Sequence, residues 1–297
     1  MGRLKDRVVL VTGSGRGFGR AMAMAYAREG ANLVSVARSV DELASAEEAM
    51  KAESGEVFTV PADISTEEGV SRVVESTLDE YGGLDVLVNN AATSPWLTFE
   101  ETTAQHWDRV MAVNLRAPFV LTKAFLASMK ERGGGSVVNI SSRSAEGGFV
   151  AESAYCPSKY GLEGLTQCLA LELRPHNVAV NSLNVSAPEG LRLKPTEMTL
   201  RQARGMPEET RRLIADDVSM AESFGDAWTF LALQRGDGVT GQRLSTRVLA
   251  EVLRSGGEQA AYERWRGKLM QAVYTPIYWP KKVRYQTPDG GWKELVY

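Results

Sequence analysis

A chain of 297 residues with 43 % hydrophobic and 24 % charged residues has the composition of a globular protein with a substantial core. Its formal net charge of −3 gives no electrostatic reason to expect nucleic acid or an anionic membrane as a partner. No apolar run approaches the ~18 residues of a membrane-spanning helix, and the amino terminus lacks a signal-peptide pattern. We therefore expect a cytoplasmic protein with reduced cysteines, and its two histidines are too few to predict a metal site.

The first 28 residues predict a strand, a glycine-rich turn and a helix. Residues 7–12 are short, apolar and β-branched, as in a buried parallel strand, and residues 20–28 are rich in alanine and methionine. In this context glycines let main-chain amides approach a pyrophosphate at the helix amino terminus, whereas the alternative is a plain tight turn. The candidate cofactor residues here are Gly13, Ser14, Arg16, Gly17, Phe18 and Gly19.

The end of the second predicted strand, residues 31–37, bears on the choice between two dinucleotides. An acidic residue at such a position bonds a ribose 2′-hydroxyl, whereas an arginine holds a 2′-phosphate. The residue here is Arg38, no acid precedes it, and Arg16 would add positive potential beside it. We therefore predict a preference for NADP(H) over NAD(H), and a solvated surface arginine is the alternative.

Strands and helices continue to alternate as far as residue 183. The further predicted strands cover residues 56–60, 85–88, 135–140 and 178–183, and a seventh strand or its turn begins near Val239. This alternation predicts an α/β fold with one doubly wound (Rossmann) domain and a mostly parallel seven-stranded sheet. A long helix over residues 102–129, bent or interrupted near Pro118, contains Asn114. Asparagine is a poor choice for a helix interior, so we expect its side chain to have a specific partner.

Residues 155–159 place a tyrosine and a lysine four residues apart. On a helix this spacing puts Tyr155 and Lys159 on one face. Pro157 is tolerated in the first turn, and Ser153 is the expected N-cap. A neighbouring ammonium group lowers the pKa of a phenol from about 10, which makes the phenol a usable acid and base. Taken alone, the alternative is an amphipathic helix with a surface lysine.

Motifs in order along residues 4–244 resemble the short-chain dehydrogenase/reductase family, of the ordinary rather than the extended type. They are the turn at residues 12–19, Asp63, residues 89–91, Asn114, Ser142, Tyr155, Lys159 and residues 240–242. The resemblance implies that Tyr155 protonates a carbonyl oxygen, or acts as the base in reverse, and that Ser142 hydrogen-bonds the same oxygen. It also implies that Lys159 holds the nicotinamide ribose and that Asn114 anchors a proton-relay water.

The same resemblance implies further contacts. The additional cofactor-binding residues would be Arg38, Asp63 at the adenine edge, Ile64, Asn90, Ala91, Tyr155, Lys159 and Pro188. The substrate-binding residues would be Ser142, Tyr155, Trp96 and Phe149, with core positions as the alternative for the last two. The chain departs from the family at Ala92, at residues 186–190 and at residues 245–248. These departures concern the substrate side and the C-terminal packing, and they leave the four catalytic positions intact.

The prediction for function is hydride transfer between NADP(H) and a secondary alcohol or ketone, with Tyr155 as general acid and base. The partners expected are a small-molecule substrate and a second copy of the chain, in a homodimer or homotetramer, with no nucleic acid and no membrane. Gly161 and Gly164 would let helices of two copies approach closely. A catalytically silent dinucleotide-binding sensor or scaffold is the main alternative, although such a protein would be expected to lack Tyr155 or Lys159.

Residues 1–250 are predicted to form the Rossmann domain and residues 251–297 a C-terminal extension. The extension is far more aromatic than the chain average of 8 %, whereas disordered segments are poor in aromatic residues. Residues 260–273 have helical character, and residues 283–286 and 292–296 flank a plausible hairpin turn. An isolated hairpin is marginal in water, so we expect this one to pack on the body or on a neighbouring subunit.

Overall fold

Seven parallel strands form the central sheet in a computed structural model of the protein, which describes residues 2–53, 56–185, 216–270, 282–287 and 291–296. The strands are β1 (Val8–Thr12), β2 (Asn32–Ala37), β3 (Glu56–Pro61), β4 (Val86–Asn89), β5 (Gly135–Ser141), β6 (Val178–Asn184) and β7 (Arg243–Ser245). Their order is β3-β2-β1-β4-β5-β6-β7, and every neighbouring pair is parallel. The predicted doubly wound sheet is therefore confirmed, with its switch point between β1 and β4.

Helices cover both faces of the sheet. They are α1 (Gly17–Arg28), α2 (Val40–Lys51), α3 (Glu67–Tyr81), α4 (Ala104–Met111), α5 (Ala117–Glu131), α6 (Tyr155–Leu173), α7 (Asp217–Ala232) and α8 (Thr246–Trp265). On one face, side chains of α1, α2, α7 and α8 meet the sheet around the fully buried Tyr26 and Trp228. On the other face α3, α5 and α6 pack around Phe125. Because the strands are buried on both sides, they read as continuous apolar runs in the sequence.

The helix predicted over residues 102–129 is interrupted just before Pro118, as predicted. A π-helical turn at Ala112–Arg116 separates α4 from α5, and Asn114 lies within it. Pro118 follows this turn by two residues inside a continuous helical stretch, where it has no N–H to donate to the preceding turn. The sequence led us to expect no apolar stretch of membrane-spanning length, but Ala104–Glu131 is long and apolar enough to cross a membrane by length and composition alone. Phe125 is fully buried against the sheet, so we describe this stretch as a core helix.

The start of α6 differs from the prediction in its cap. Ala154 occupies the N-cap position and no side chain caps the helix, so the prediction of Ser153 as N-cap is wrong. The hydroxyl of Ser153 lies 3.3 Å from that of Thr102 instead, because the loop after β4 offers a closer partner. Pro157 lies in the first turn, as predicted.

The C-terminal part contains a broken helix and a hairpin. Gly257 has φ of +65° and interrupts α8, whose second half still packs on α7, with the Tyr262 and Phe230 rings 5.4 Å apart. The predicted hairpin pairs β8 (Lys282–Gln286) with β9 (Trp292–Val296) in antiparallel register. Residue 250 lies within α8, and the division of the chain there stays a prediction. Pro188 and the other features predicted for residues 186–215 and 271–281 lie outside the described residues.

Candidate active site

The glycine turn after β1 is tied to the end of β4. The amide nitrogen of the Asn90 side chain donates to the carbonyl oxygens of Thr12 and Gly13 at 2.9 and 3.2 Å. The Thr12 hydroxyl accepts from the main-chain amides of Asn90 and Ala91 at 3.0 and 3.1 Å. A Cβ atom on Gly19 would lie 2.3 Å from the Gly13 carbonyl oxygen, so only glycine permits this approach of α1 to the turn. Asn90 and Ala91 therefore lie beside the turn, as the predicted cofactor residues should.

The amino terminus of α1 is open to an anion. Arg16 occupies the N-cap position without a capping side-chain bond, and Gly17, at φ of +58°, has no atom within 4 Å of where a Cβ would be. Unpaired amides at a helix amino terminus favour a phosphate group, so this turn fits the pyrophosphate of a dinucleotide. The hydroxyl of Ser14 is buried and shares a hydrogen bond of 2.7 Å with that of Ser35, and the Ser14 main-chain amide donates to the Val36 carbonyl at 3.1 Å, so both donors are used within the protein. Phe18 packs against the core.

The two arginines expected at the adenosine ribose have different surroundings. Arg16 donates to the carboxylate of Glu42 at 2.9 Å, so the charge of Arg16 is offset within the protein. Arg38 directly follows β2 at the carboxyl edge of the sheet. No hydrogen bond or ion pair joins the Arg38 guanidinium to another residue in the described part of the chain. Arg38 is thus the better placed of the two to meet an added negative charge.

Asp63, expected at the adenine edge, has an arginine partner that the sequence did not indicate. Arg109 of α4 donates to its Oδ2 at 2.8 Å, and Ser65 donates to its Oδ1 through both main chain and side chain. Burial alone would raise the pKa of Asp63, but these bonds together hold it below the ordinary value of 3.8. The side chain of Ile64 is buried in the core, so this residue has only its main chain to offer a cofactor.

Tyr155 begins α6, and the hydroxyl of Ser142, which follows β5, is close enough to the phenol to lower its pKa. The Ser142 hydroxyl accepts from the main-chain amide of Ser144 and donates to the Ser144 hydroxyl, both at 3.2 Å, which orients it. Burial raises the pKa of Tyr155 to about 12, the Ser142 hydroxyl lowers it only partly, and the charge of Glu152 adds a smaller increase. The phenol is therefore in its acid form near neutral pH and has a proton to give.

Lys159 is buried one turn after Tyr155, but its ammonium group does not lower the pKa of the phenol as predicted. The Nζ atom lies 5.6 Å from the centroid of the Tyr155 ring and donates to the carbonyl oxygen of Ile140 at 2.8 Å. Burial lowers the pKa of Lys159 to about 8, because the charged form is poorly solvated there. The expected spacing of Tyr155 and Lys159 is thus present, but burial rather than the ammonium charge determines the pKa of the phenol.

Asn114 has the specific partners that its place in a helix predicted. Its Oδ1 accepts from the main-chain amide of Thr93 at 2.8 Å, and its Nδ2 donates to the Thr93 carbonyl at 3.0 Å. The same Nδ2 lies 3.0 Å from the hydroxyl of Ser158 on α6. Asn114 therefore joins the loop after β4 to the helix that carries Tyr155 and Lys159, and its role toward a relay water stays a prediction.

Two loops converge beside Tyr155. The Thr102–Ser153 contact connects the loop containing Trp96 to the loop containing Phe149. Trp96 is half-buried with φ of +50°, and Phe149 is 42 % exposed with the Arg143 guanidinium 6.0 Å from its ring centroid. Neither aromatic ring belongs to the buried core, so both remain candidates for substrate contact. Within the described residues, no group of three or more His, Cys, Asp or Glu side chains is arranged to hold a metal ion.

The chain resembles known proteins over most of its length. A family model described as short chain dehydrogenase matches residues 7–193. An uncharacterized oxidoreductase of Thermotoga maritima is 33 % identical over 218 residues, covering 73 % of this chain and 84 % of that protein. A probable galactose dehydrogenase of Rhizobium meliloti is 34 % identical over 219 residues, covering 72 % and 86 %.

Solved structures agree. The crystal structure of a metagenomic short-chain oxidoreductase in complex with NADP has a TM-score of 0.66 and 29 % identity, covering 82 % of this chain and 97 % of that one. Residues 7–193, which the family model matches, contain β1 to β6, the glycine turn and the Ser142, Tyr155 and Lys159 positions. The chain therefore belongs to the short-chain dehydrogenase/reductase family, as an oxidoreductase whose fold binds a nicotinamide dinucleotide.

Proposed function

We propose that this protein interconverts a secondary alcohol and a ketone with NADP(H), using Tyr155 as general acid and base. The observation that carries the proposal is the position of the Ser142 hydroxyl beside the Tyr155 phenol, with Lys159 buried one helical turn behind. Two neighbouring hydroxyls could both contact the oxygen of one substrate.

Each part of the cleft would hold one part of the dinucleotide. The amides at the start of α1 suit the pyrophosphate, and Asp63 and Arg38 lie at the carboxyl ends of β3 and β2, where adenine and its ribose are expected. Lys159 would hold the nicotinamide ribose. When bound, the dinucleotide supplies a hydride to the carbonyl carbon or accepts one from the alcohol.

The protonation states of Tyr155 and Lys159 determine how a proton would reach the substrate. Tyr155 carries a proton, because its pKa is raised to about 12, and in the reductive direction it would give that proton to the substrate oxygen. Ser142 would donate a hydrogen bond to the same oxygen and so stabilise the developing negative charge. Lys159, with a pKa of about 8, is largely charged at neutral pH and would stabilise the phenolate that remains.

The preference for NADP(H) rests on Arg38. Its guanidinium has no partner within the described residues, and the residue that directly follows β2 is this arginine rather than an acid. Arg16 supports the preference less than its position alone would indicate, because Glu42 offsets its charge. A similar protein was crystallised in complex with NADP, which supports the same preference.

We also propose a homodimer or homotetramer, in the cytoplasm, that acts on a small molecule contacted by Trp96 and Phe149. An apolar groove of about 450 Å³ between α6 and the π turn is lined by Met111, Leu115, Arg116, Phe119, Gly161 and Leu165. The space beside Gly161 is already filled by the side chain of Leu115, since a Cβ atom on Gly161 would lie 2.8 Å from it. Gly164 has open space instead, so it is the glycine that a second copy could approach.

Calorimetry with NADPH and NADH, followed by turnover of a panel of ketones and alcohols, tests the proposal. We expect tighter binding of NADPH and consumption of NADPH with at least one carbonyl compound. Binding of the dinucleotide without turnover of any compound would support the sensor or scaffold alternative. Equal affinity for both dinucleotides would contradict the cofactor preference alone.

A further inference from the structure

Each of the last three residues before the Tyr155 loop is held by a different side chain. The Ile140 carbonyl accepts from Lys159 at 2.8 Å, the Ser141 hydroxyl donates to Glu163, and the Ser142 carbonyl accepts from Nη2 of Arg243 at 2.9 Å. The chain leaving β5 is thus fixed at three successive positions. The proposed function needs a defined place for the hydroxyl of the third.

Glu163 is the centre of this arrangement. Nε of Arg243 donates to its Oε1 at 2.9 Å, and the Ser182 hydroxyl of β6 donates to its Oε2 at 2.6 Å. The side chains of Glu163 and Arg243 are only 13 % and 17 % exposed. One carboxylate on α6 therefore connects the ends of β5 and β6 with the start of β7, immediately behind the site.

The arginine uses its fork for two different tasks. One edge bonds the Glu163 carboxylate, while Nη2 bonds the main chain of Ser142 and Nη1 bonds Glu146 in the loop that follows. A lysine would offer a single ammonium group in place of this planar fork and could not reproduce the set of contacts. Arg243 lies directly before the segment where the chain departs from the family pattern, so sequence resemblance assigns it no role.

Glu163 also acts on charge. It lies four residues after Lys159 on α6, so the two side chains share a helix face, and its negative charge raises the pKa of Lys159 against the effect of burial. The other charged or titratable groups around Lys159 are Tyr155 on the same helix and Arg243, which is paired with Glu163. Glu146 in turn pairs with Arg243.

We propose that Arg243 and Glu163 are positioning residues of the catalytic site: Arg243 fixes the Ser142 hydroxyl through the main chain, and Glu163 holds Arg243 and keeps the Lys159 ammonium group charged. This inference rests on the proposed function of Ser142, Tyr155 and Lys159. Neither positioning residue touches the substrate. A purely structural ion pair would stabilise the fold without affecting the titration of Lys159 or the turnover rate.

The first test observes Lys159 in the resting enzyme, so it requires no substrate. Protein labelled with ¹³C at lysine Cε is titrated by NMR, and the Lys159→Arg variant identifies the signal. Glu163→Gln should lower the titration midpoint by about one pH unit, because a negative charge one helical turn away is removed. Arg243→Met should leave the midpoint unchanged or raise it, since it removes a positive charge. An unchanged midpoint in Glu163→Gln, or a lowered one in Arg243→Met, would overturn the charge role.

The second test measures turnover and cofactor affinity together. Arg243→Met and Arg243→Lys should lower kcat about tenfold or more and leave the Kd for NADPH unchanged, because a small displacement of Ser142 affects chemistry rather than binding. Retention of wild-type kcat by both variants would overturn the positioning role. If no substrate is turned over by the wild type, the proposed function fails, while the lysine titration still decides the charge role.

A matched control separates positioning from stability. Arg132→Met removes an arginine from the buried Asp85 carboxylate at the opposite edge of the same sheet, at 2.7 Å. It should lower the melting temperature without changing kcat or the Lys159 midpoint. Ser182→Ala removes one hydrogen bond to Glu163 and serves where Glu163→Gln does not fold, with a smaller downward shift of the midpoint expected. A control that lowers kcat as much as Arg243→Met would overturn the inference.

Discussion

The two edges of the sheet each bury one carboxylate beside arginines, with different results. At the amino edge, Asp85 accepts from Arg132, Arg7 and the main-chain amide of Val8, and it is 1 % exposed. At the carboxyl edge, Glu163 accepts from Arg243 and from two serine hydroxyls. The first cluster connects β1, β4 and α5, and no group of the candidate active site contacts it. The second cluster bonds Ser141 and Ser142 at the end of β5, next to the cleft.

The difference shows where a parallel sheet concentrates function. Strand carboxyl ends leave loops that can carry reactive groups, so a buried charge there both stabilises and orients. A buried charge at the amino ends of the strands stabilises the fold but does not orient reactive groups. The predictions below test this division, beginning with the change expected to be largest.

Tyr155→Phe should lower kcat by at least about a hundredfold with little change in cofactor affinity, because it removes the transferable proton and almost no volume. Steady-state kinetics and calorimetry with NADPH measure the two quantities. Tyr81→Phe makes the same chemical change on α3, away from the cleft, and should leave kcat as it is. Activity within tenfold of the wild type in Tyr155→Phe would mean that another group provides the proton.

Asp85→Asn should lower the free energy of unfolding by about 3 kcal/mol without affecting kcat per folded molecule, because it breaks a buried charge pair at the edge without chemistry. Burial alone would raise the pKa of Asp85, but its bonds to Arg132, Val8 and Arg7 hold it below 3.8. The stabilisation is therefore fully present above about pH 4 and is lost as the pH falls through the lowered pKa. Denaturant unfolding at several pH values should show wild type and variant converging in acid.

Arg38→Asp should weaken NADPH binding by about ten- to a hundredfold and favour NADH, since a charge-assisted bond is replaced by repulsion. Glu42→Gln should act in the opposite direction by releasing Arg16. Arg72→Asp makes the same change of charge on the exposed side of α3, where Arg72 pairs with Glu68, and serves as the control. If NADPH affinity falls equally in both arginine variants, the effect is one of overall charge and Arg38 has no special place.

Gly164→Leu should weaken association of the copies about tenfold, because it adds a side chain at the face proposed for the interface. The single chain should tolerate it, since a Cβ at Gly164 meets no atom within 4 Å and leucine favours a helix over glycine. Light scattering over a dilution series measures the mass, with Gly164→Ala as the milder control. A wild-type mass equal to one chain at micromolar concentration would rule out the interface itself.

The sequence indicated the sheet well, because its strands are apolar runs bounded by glycine and polar residues. It also placed Ser142, Tyr155 and Asn114, whose spacing is local or carried by an ordered set of motifs. It indicated a break near Pro118, but not that the break takes the form of a π turn at Ala112–Arg116. The prediction of Ser153 as N-cap was wrong because its hydroxyl contacts Thr102 on another loop.

Long-range partners were beyond the sequence. Arg109 and Arg243 come from elements 46 and 101 residues away from the residues they bond, Asp63 and Ser142, and no local pattern marks them. The pKa of Tyr155 was misjudged because the spacing to Lys159 shows a neighbouring charge but not the depth of burial. Spacing therefore identifies the groups of a site, whereas folding determines their protonation.

The tie between Asn90 and the glycine turn has a consequence for motion. The main-chain amides of Asn90 and Ala91 both donate to Thr12, so the floor of the crevice between β1 and β4 has no loose segment. Among the described residues, an opening that admits a ligand is therefore expected in the loops after β4 and β5 that lie beyond this floor. Amide hydrogen exchange should accordingly be slow at residues 90–91 with or without a dinucleotide, while the slowing caused by binding should be concentrated in those loops.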